Sequence, residues 1–163
     1  MNRLTLILVL TMTVLLGSSG VSWSADFRKG MDAAKRGDYS TALKKWTPLA
    51  EQGNTHAQYN LGVMYEKGRG VPQDYKTAVK WYTLAAEQND AVAQLNLSIC
   101  NCKGQGVSKS HVRCHMWANL SASSGNERAA MLREGLRDVL SPSQIEQAQK
   151  LSRECVAKNY KGC

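Results

Sequence analysis

The sequence predicts an all-α protein, an αα-solenoid in which helix–turn–helix units stack into a right-handed superhelix that ends in a C-terminal capping helix pair. The main observation is a repeat: residues 53–88 recur in degenerate form at 89–124, a shift of 36 residues. A fixed period of this size is typical of stacked helical units. Within each copy, small and apolar residues follow a helical spacing, and a Gly-x-Gly turn separates the two halves.

The first copy, 53–88, is predicted to form two helices of similar length. Residues 55–67 carry a stripe of small and apolar side chains on one face, and residues 75–88 carry a matching stripe that includes Trp81. Glycines between the two segments give the backbone the freedom to end one helix and reverse the chain. Trp81 and its counterpart Trp117 are expected to be mostly buried between helical pairs.

The spacing A-x3-L-G-x2-Y-x2-G-x-G-V-x2-D-x3-A-x2-W-Y-x2-A-A within residues 53–88 resembles the Sel1-like repeat, a relative of the tetratricopeptide repeat. The copy at 89–124 keeps this frame, with departures that include Ser98, Asn101, Ser110 and Cys114. The resemblance implies an αα-solenoid that scaffolds protein contacts, and it implies no chemical reaction.

Residues 1–25 are predicted to be a secretory signal peptide outside the fold. Their only charge is one arginine, residues 4–16 form an apolar run, and small residues follow. Cleavage is expected after Ser24 or after Ala25. An uncleaved membrane anchor is the alternative, although the apolar run is short for a bilayer span. We therefore expect a periplasmic or secreted protein.

Residues 26–52 are predicted to be a degenerate N-terminal helical pair, with helices over 27–36 and 39–52. Pro48 lies inside the second helix and should bend it or break it, because proline removes one backbone hydrogen bond. An irregular end unit is expected in a solenoid, since one of its faces has no neighbour.

Residues 125–163 are predicted to form two capping helices, over 127–140 and 142–158. The repeat pattern fails here, because Arg133 falls where both copies have leucine. The Ser-Pro-Ser-Gln run that starts at Ser141 is a strong helix start, with an N-cap, a proline in the first turn and a capping-box glutamine.

The net charge of +8 becomes +7 if the signal peptide, with its single arginine, is removed. The basic residues are scattered along the predicted helices, and the chain has one phenylalanine. This distribution argues against nucleic-acid binding and favours acidic components of the cell envelope as partners. No cofactor is expected, and contact with a membrane is expected only through the signal peptide during export.

All five cysteines lie in the second half of the chain, and an exported protein would place them in an oxidising compartment. Cys155 and Cys163 are predicted to pair, because a turn-rich tail separates them. Cys114 is predicted to pair with Cys100 or Cys102 on the facing helix. Both cannot reach it, since side chains two residues apart point to different sides of a helix.

The same region supports a metal site as an alternative. Five potential ligands fall within sixteen residues: Cys100, Cys102, His111, Cys114 and His115. Zinc or copper accepts such donors in a tetrahedral arrangement. Their spacing is not that of a standard zinc finger, and a periplasmic metal-binding protein is therefore kept only as an alternative.

An enzyme is the second alternative. The acid–base candidates are His56, Glu51, Glu66 and Asp74, but Asp74 is better explained as a helix cap. Some cysteine-rich secreted members of the resembling family are β-lactamase-like or penicillin-binding proteins. A Ser-x-x-Lys motif would support that chemistry, but the loop serine Ser108 has no lysine three residues later. We therefore expect no enzymatic activity.

The favoured function is a protein- or peptide-interaction scaffold in the bacterial envelope. The first helix of each unit is expected to line the inner wall of the solenoid. By analogy with the related repeats, the binding surface would comprise Tyr59, Val63, Glu66, Lys67, Leu95, Ile99 and Lys103. For the aliphatic members of this set, packing in the core is the alternative interpretation.

Overall fold

The computed structural model describes residues 23–163, and all regular structure in this range is helical. The N-terminal leader prediction therefore lies almost entirely outside the described residues. The helices are α1 (23–35), α2 (Tyr39–Glu51), α3 (Thr55–Lys67), α4 (Tyr75–Ala86), α5 (Ala91–Lys103), α6 (His111–Ser123), α7 (Glu127–Gly135) and α8 (Pro142–Ala157), with a 3-10 turn at Leu136–Asp138 after α7. The all-α prediction is confirmed.

Consecutive helices from α2 to α7 pack on one another, which makes the chain a stack of helical hairpins. The described residues form three apolar clusters along this stack. One joins α1, α2 and α3 around Trp46 and Leu61, and a second joins α4, α5, α6 and α8 around Tyr82 and Trp117. The third joins α5, α6 and α7 around Cys114 and Leu136. Each hairpin therefore buries its apolar faces against its neighbours.

Side-chain caps mark the helix starts at the period of the repeat. Asp38, Asp74 and Ser110 are 36 residues apart, and each accepts backbone N–H hydrogen bonds at the start of α2, α4 or α6. A second series does the same for α3, α5 and α7: Asn54, Asp90 and Asn126. Each cap satisfies donors that the helix leaves free and contributes about 1 kcal/mol.

The second glycine of each turn is required by a contact with the preceding unit. A Cβ added at Gly70 would lie 2.7 Å from the Cβ of Tyr39, and one added at Gly106 would clash with the carbonyl oxygen of Tyr75. Both glycines also have positive φ angles, 72° and 74°. The same contact recurs one repeat later, so it sets how closely successive units approach.

The helices begin and end close to the predicted residues, with three informative differences. The second helix continues through Pro48 to Glu51 without a break, although the proline cannot donate a backbone hydrogen bond. The helix predicted over 127–140 ends at Gly135 and finishes as a 3-10 turn. The first helix is already formed at residue 23, where the described residues start, four residues before its predicted start. Trp117 is 4% exposed and Trp81 is partly buried against the N-terminal cluster, so both tryptophans are mostly buried, as expected.

The C-terminal helices α7 and α8 both pack on α6 rather than mainly on each other. Cys155 of α8 and Tyr160 after it join the apolar cluster around Trp117. The tail then returns to α4, where the Gly162 N–H donates to Glu87 over 3.0 Å, and to α6, where Arg113 donates to the Cys163 carbonyl over 2.9 Å. The cap therefore covers the side of the stack formed by the second helices of the hairpins.

Within residues 23–163, none of the helices combines the length and the apolar character needed to cross a bilayer.

Candidate interaction surface

The predicted binding residues lie on α3 and α5, which occupy equivalent positions in consecutive hairpins. We call the surface formed by Tyr59, Val63, Glu66, Lys67, Ile99 and Lys103 the first-helix face. Lys67 and Lys103 are exposed, while the other four are partly buried. The seventh predicted residue, Leu95, is only 4% exposed. Its side chain packs inside the protein and offers little area to a partner.

Glu66 is the best-fixed charged group on this face. Its carboxylate accepts a hydrogen bond from the Tyr82 hydroxyl over 2.6 Å and from Lys67 Nζ over 2.8 Å. Partial burial favours the neutral acid, but these hydrogen bonds and the nearby Lys103 outweigh it and lower the pKa of Glu66. The pKa of Tyr82 is raised by its burial and by the same carboxylate. Glu66 is therefore a negatively charged carboxylate fixed by two hydrogen bonds, and it is poorly suited to act as a general base.

Tyr59 lies beside this pair, with its ring centroid 6.1 Å from that of Tyr82. Half-burial, followed by the negative charge of Asp90, raises the pKa of the Tyr59 phenol. The phenol therefore stays protonated at neutral pH and can donate or accept hydrogen bonds. This combination of an amphipathic ring and a polar tip is common at protein interfaces.

A groove of about 220 Å³ opens between α1 and α3, next to Val63. We call it the α1–α3 groove. Met31, Trp46 and Met64 give it apolar walls, and its lining is mostly carbon. Sequence reasoning missed this part of the surface, because α1 has no repeat partner by which its inward positions could be aligned. Trp46 lies 36 residues before Tyr82, and this spacing could have marked it as an inward position.

Arg69 also lines the groove. It follows Gly68, which ends α3 with a left-handed φ of 65°, and its guanidinium lies 5.6 Å from the ring centroid of Tyr39. This distance is in the range of a cation–π contact. The corresponding residue of the second copy is Gln105, so the feature belongs to the first repeat alone.

The cysteines of the second repeat connect α5 to α6. Cys102 is bonded to Cys114, with their Cα atoms 5.2 Å apart, which selects one of the two partners that the sequence left open. Cys100 is a free, buried thiol, and burial raises its pKa to about 11. Cys155 is bonded to Cys163, which ties the tail to the end of α8.

The five potential metal ligands do not converge. Cys102 and Cys114 are consumed by their disulfide, and the buried His115 faces a polar pocket with Arg133 and Arg137 instead. Burial and the charge of Arg133 lower the pKa of His115. Within residues 23–163, no three histidine, cysteine or acidic side chains are grouped closely enough to hold a metal ion.

The acid–base candidates are also dispersed. Asp74 caps α4 and accepts hydrogen bonds from two backbone N–H groups and from Thr77. His56 lies 5.9 Å from the ring of Phe27, centroid to centroid. Ser108 is exposed in the turn before α6, beside Arg113. The arrangement of these groups supports surface recognition better than covalent chemistry.

Comparison with known proteins identifies the repeat. The family model described as "Sel1 repeat" matches residues 55–90 and 91–126. No catalytic family is indicated. A 44-residue stretch is 41% identical to DAP3-binding cell death enhancer 1 of Rattus norvegicus and of Mus musculus; it covers 27% of this chain and 9% of each of those proteins.

Two solved structures share the architecture. The structure of c5321, a protective antigen present in uropathogenic Escherichia coli strains displaying an SLR fold, matches with a TM-score of 0.78 and 25% identity. The match covers 85% of this chain and 31% of that one. A Sel1 repeat protein from Oxalobacter formigenes matches with a TM-score of 0.65 and 30% identity, covering 77% of this chain and 54% of that one. This chain thus spans about a third and about half of these proteins.

Proposed function

The chain carries two Sel1 repeats, and we propose that it is an exported scaffold whose first-helix face binds a protein or peptide in the bacterial envelope. Sel1 repeats generally mediate protein–protein interaction. The observation that carries the proposal is the asymmetry of the stack. The capping helix α8 packs on α6, and the tail bonds Glu87 at the end of α4. On α3 and α5, by contrast, Lys67 and Lys103 are exposed and the remaining members of the first-helix face are partly exposed.

Export is supported by two independent features. Residues 1–25 have the charge and apolar pattern of a secretory signal peptide. The disulfides Cys102–Cys114 and Cys155–Cys163 persist in oxidising compartments and are rare in the cytosol. Mass spectrometry of protein recovered from a periplasmic or culture fraction should find an N-terminus at Ala25 or Asp26. An intact Met1 in the membrane fraction would contradict export.

Site-specific photo-crosslinking tests the binding face. A benzophenone amino acid replaces Ile99 on the first-helix face in one variant, and the exposed Val156 of α8 in the matched control. In an envelope extract, a partner of the scaffold should crosslink at position 99 and not at position 156. Equal crosslinking at both positions, or crosslinking at 156 alone, would contradict the proposed face.

A further inference from the structure

The α1–α3 groove combines an apolar interior with one weakly bonded carboxamide. Met64 and Trp46, 2% and 3% exposed, form its base, and Met31 and Val63 form its sides. Asn60 also lines the groove, and its Nδ2 donates only a long 3.8 Å hydrogen bond to Met31 Sδ. A carboxamide in this state is available to the backbone of an extended segment. The groove can therefore take one aliphatic side chain and hold the main chain beside it.

The rim of this groove is positively charged. Lys35 lies on α1 and Arg69 lies in the turn after α3, and both are exposed. Among residues 23–163, neither side chain lies within 4.0 Å of a carboxylate, whereas Lys67 is already paired with Glu66. Of the nearby acids, Asp32 is exposed on α1 and Glu66 is held by Tyr82 and Lys67. Because neither cation is paired with a carboxylate, the rim favours an anionic partner.

We propose that the α1–α3 groove binds an extended acidic peptide segment of a partner protein. An aliphatic side chain of that segment enters between Met31 and Val63, and carboxylates on either side of it pair with Lys35 and Arg69. This inference rests on the proposed scaffold function and adds the chemistry of the partner to it. Arg69 and Lys35 supply charge selection, while the apolar walls supply the burial that anchors the segment.

Fluorescence polarisation with synthetic probes tests this directly on the full exported chain. The main probe is a fluorescein-labelled peptide of sequence Gly-Asp-Leu-Asp-Gly. Two matched probes replace both aspartates by lysine or the leucine by serine. The acidic leucine probe should bind at least about tenfold more tightly than either matched probe, and its affinity should fall as salt rises. Equal binding of the lysine probe, or no saturable binding of the acidic one, overturns the proposal.

Charge-reversed variants locate the site. Lys35→Glu and Arg69→Glu should each weaken binding of the acidic probe about tenfold, because each turns an attraction into a repulsion. Lys44→Glu makes the same change in charge on an exposed part of α2 outside the groove and should leave binding unchanged. An equal loss in all three variants would show that only net charge matters and would overturn the groove assignment. Thermal unfolding confirms that each variant is folded.

The crosslinking experiment separates this inference from the scaffold function on which it rests. If position 99 captures a partner while the acidic probe fails to bind, the scaffold function stands and the groove assignment fails. If the probe binds through Lys35 and Arg69 while position 99 captures nothing, the groove assignment stands and the partner does not extend over α5.

Discussion

Gln88 donates a hydrogen bond from Nε2 to Oε1 of Gln58 over 2.8 Å, and this contact is lost one repeat later. Gln58 and Gln94 are equivalent, both are buried, and both donate to a carbonyl at the end of the preceding helix. The residue equivalent to Gln88 is Ser124, whose hydroxyl bonds Asn89 instead. As a result, Oε1 of Gln94 is buried without a partner. The second copy has thus lost a polar contact that the first retains.

Restoring this contact should stabilise the protein. Ser124→Gln places a donor where Gln88 lies in the first copy and should raise the free energy of unfolding by about 0.5–1.5 kcal/mol, the net value of one hydrogen bond. Gln88→Ser should lower it by about 1–3 kcal/mol, because the buried Gln58 oxygen loses its partner. Urea titration measures both. Ser124→Ala is the control, since it removes the hydroxyl without adding an amide. If Ser124→Ala stabilises the protein as much as Ser124→Gln does, the restored hydrogen bond is not the cause of the stabilisation.

Substitutions at Gly62 and Tyr82 should have strongly coupled effects on the free energy of unfolding. A Cβ added at Gly62 would lie 2.5 Å from this ring, so Gly62→Ser should destabilise by about 1–3 kcal/mol through overpacking. The second copy has both changes together, Ser98 in place of the glycine and Ala118 in place of the tyrosine. When Tyr82→Ala is also present, Gly62→Ser should therefore lower the free energy of unfolding by less. The coupling energy from the double-mutant cycle should be about 0.5–3 kcal/mol. Additive effects in the cycle would show that the two sites are independent.

The Tyr82–Glu66 hydrogen bond should make stability depend on pH. Because the pKa of Glu66 is lowered in the folded protein, its contribution is present above the unfolded value of 4.5 and is lost as pH falls through the folded value. Tyr82→Phe should raise the pKa of Glu66, and NMR titration of the Glu66 carboxyl carbon measures that pKa. The stability difference between wild type and Tyr82→Phe should be largest near pH 7 and should narrow in acid. A difference that is independent of pH would contradict this role.

Cys100 should resist alkylation in the folded protein. Burial raises its pKa to about 11, so little thiolate forms at pH 8 and the sulfur is shielded from reagent. Iodoacetamide at pH 8 should label this thiol only after the protein is unfolded in denaturant without reductant. Peptide mapping of the labelled, unreduced protein then identifies which cysteine is free and which two are joined by the disulfide. Label on Cys102 would show that Cys114 pairs with Cys100 instead.

The disulfide between Cys155 and Cys163 should act locally. Replacing both by serine removes a loop constraint worth roughly 2–3 kcal/mol in the chain-entropy model and frees the tail at residues 158–163. Hydrogen exchange at the Gly162 amide, which donates to Glu87, should become faster, while amides of α3 and α4 keep their protection. Glu87→Ala with the disulfide intact is the comparison variant. Loss of protection throughout α3 and α4 would show that the tail supports the whole stack.

The sequence by itself determined the helical class, the 36-residue period and most helix starts. These features are local: a capping side chain such as Asp74 or Asn126 satisfies the donors of its own helix, and a glycine at 68 or 104 ends a helix through its own φ angle. Physical causes that act within a few residues leave a readable pattern in the sequence. The helix predicted over 55–67 has those bounds in the structure for this reason.

The tertiary structure alone decided which equivalent positions are accessible. Leu95 is buried while its counterpart Tyr59 is partly exposed, and Trp81 is partly exposed while Trp117 is buried, although each pair shares one place in the repeat. The neighbours make the difference, since α8 and the tail cover α6 and α1 forms a groove with α3. Burial depends on contacts between residues distant in sequence, such as Gly162 with Glu87, and a repeat pattern carries no record of those contacts.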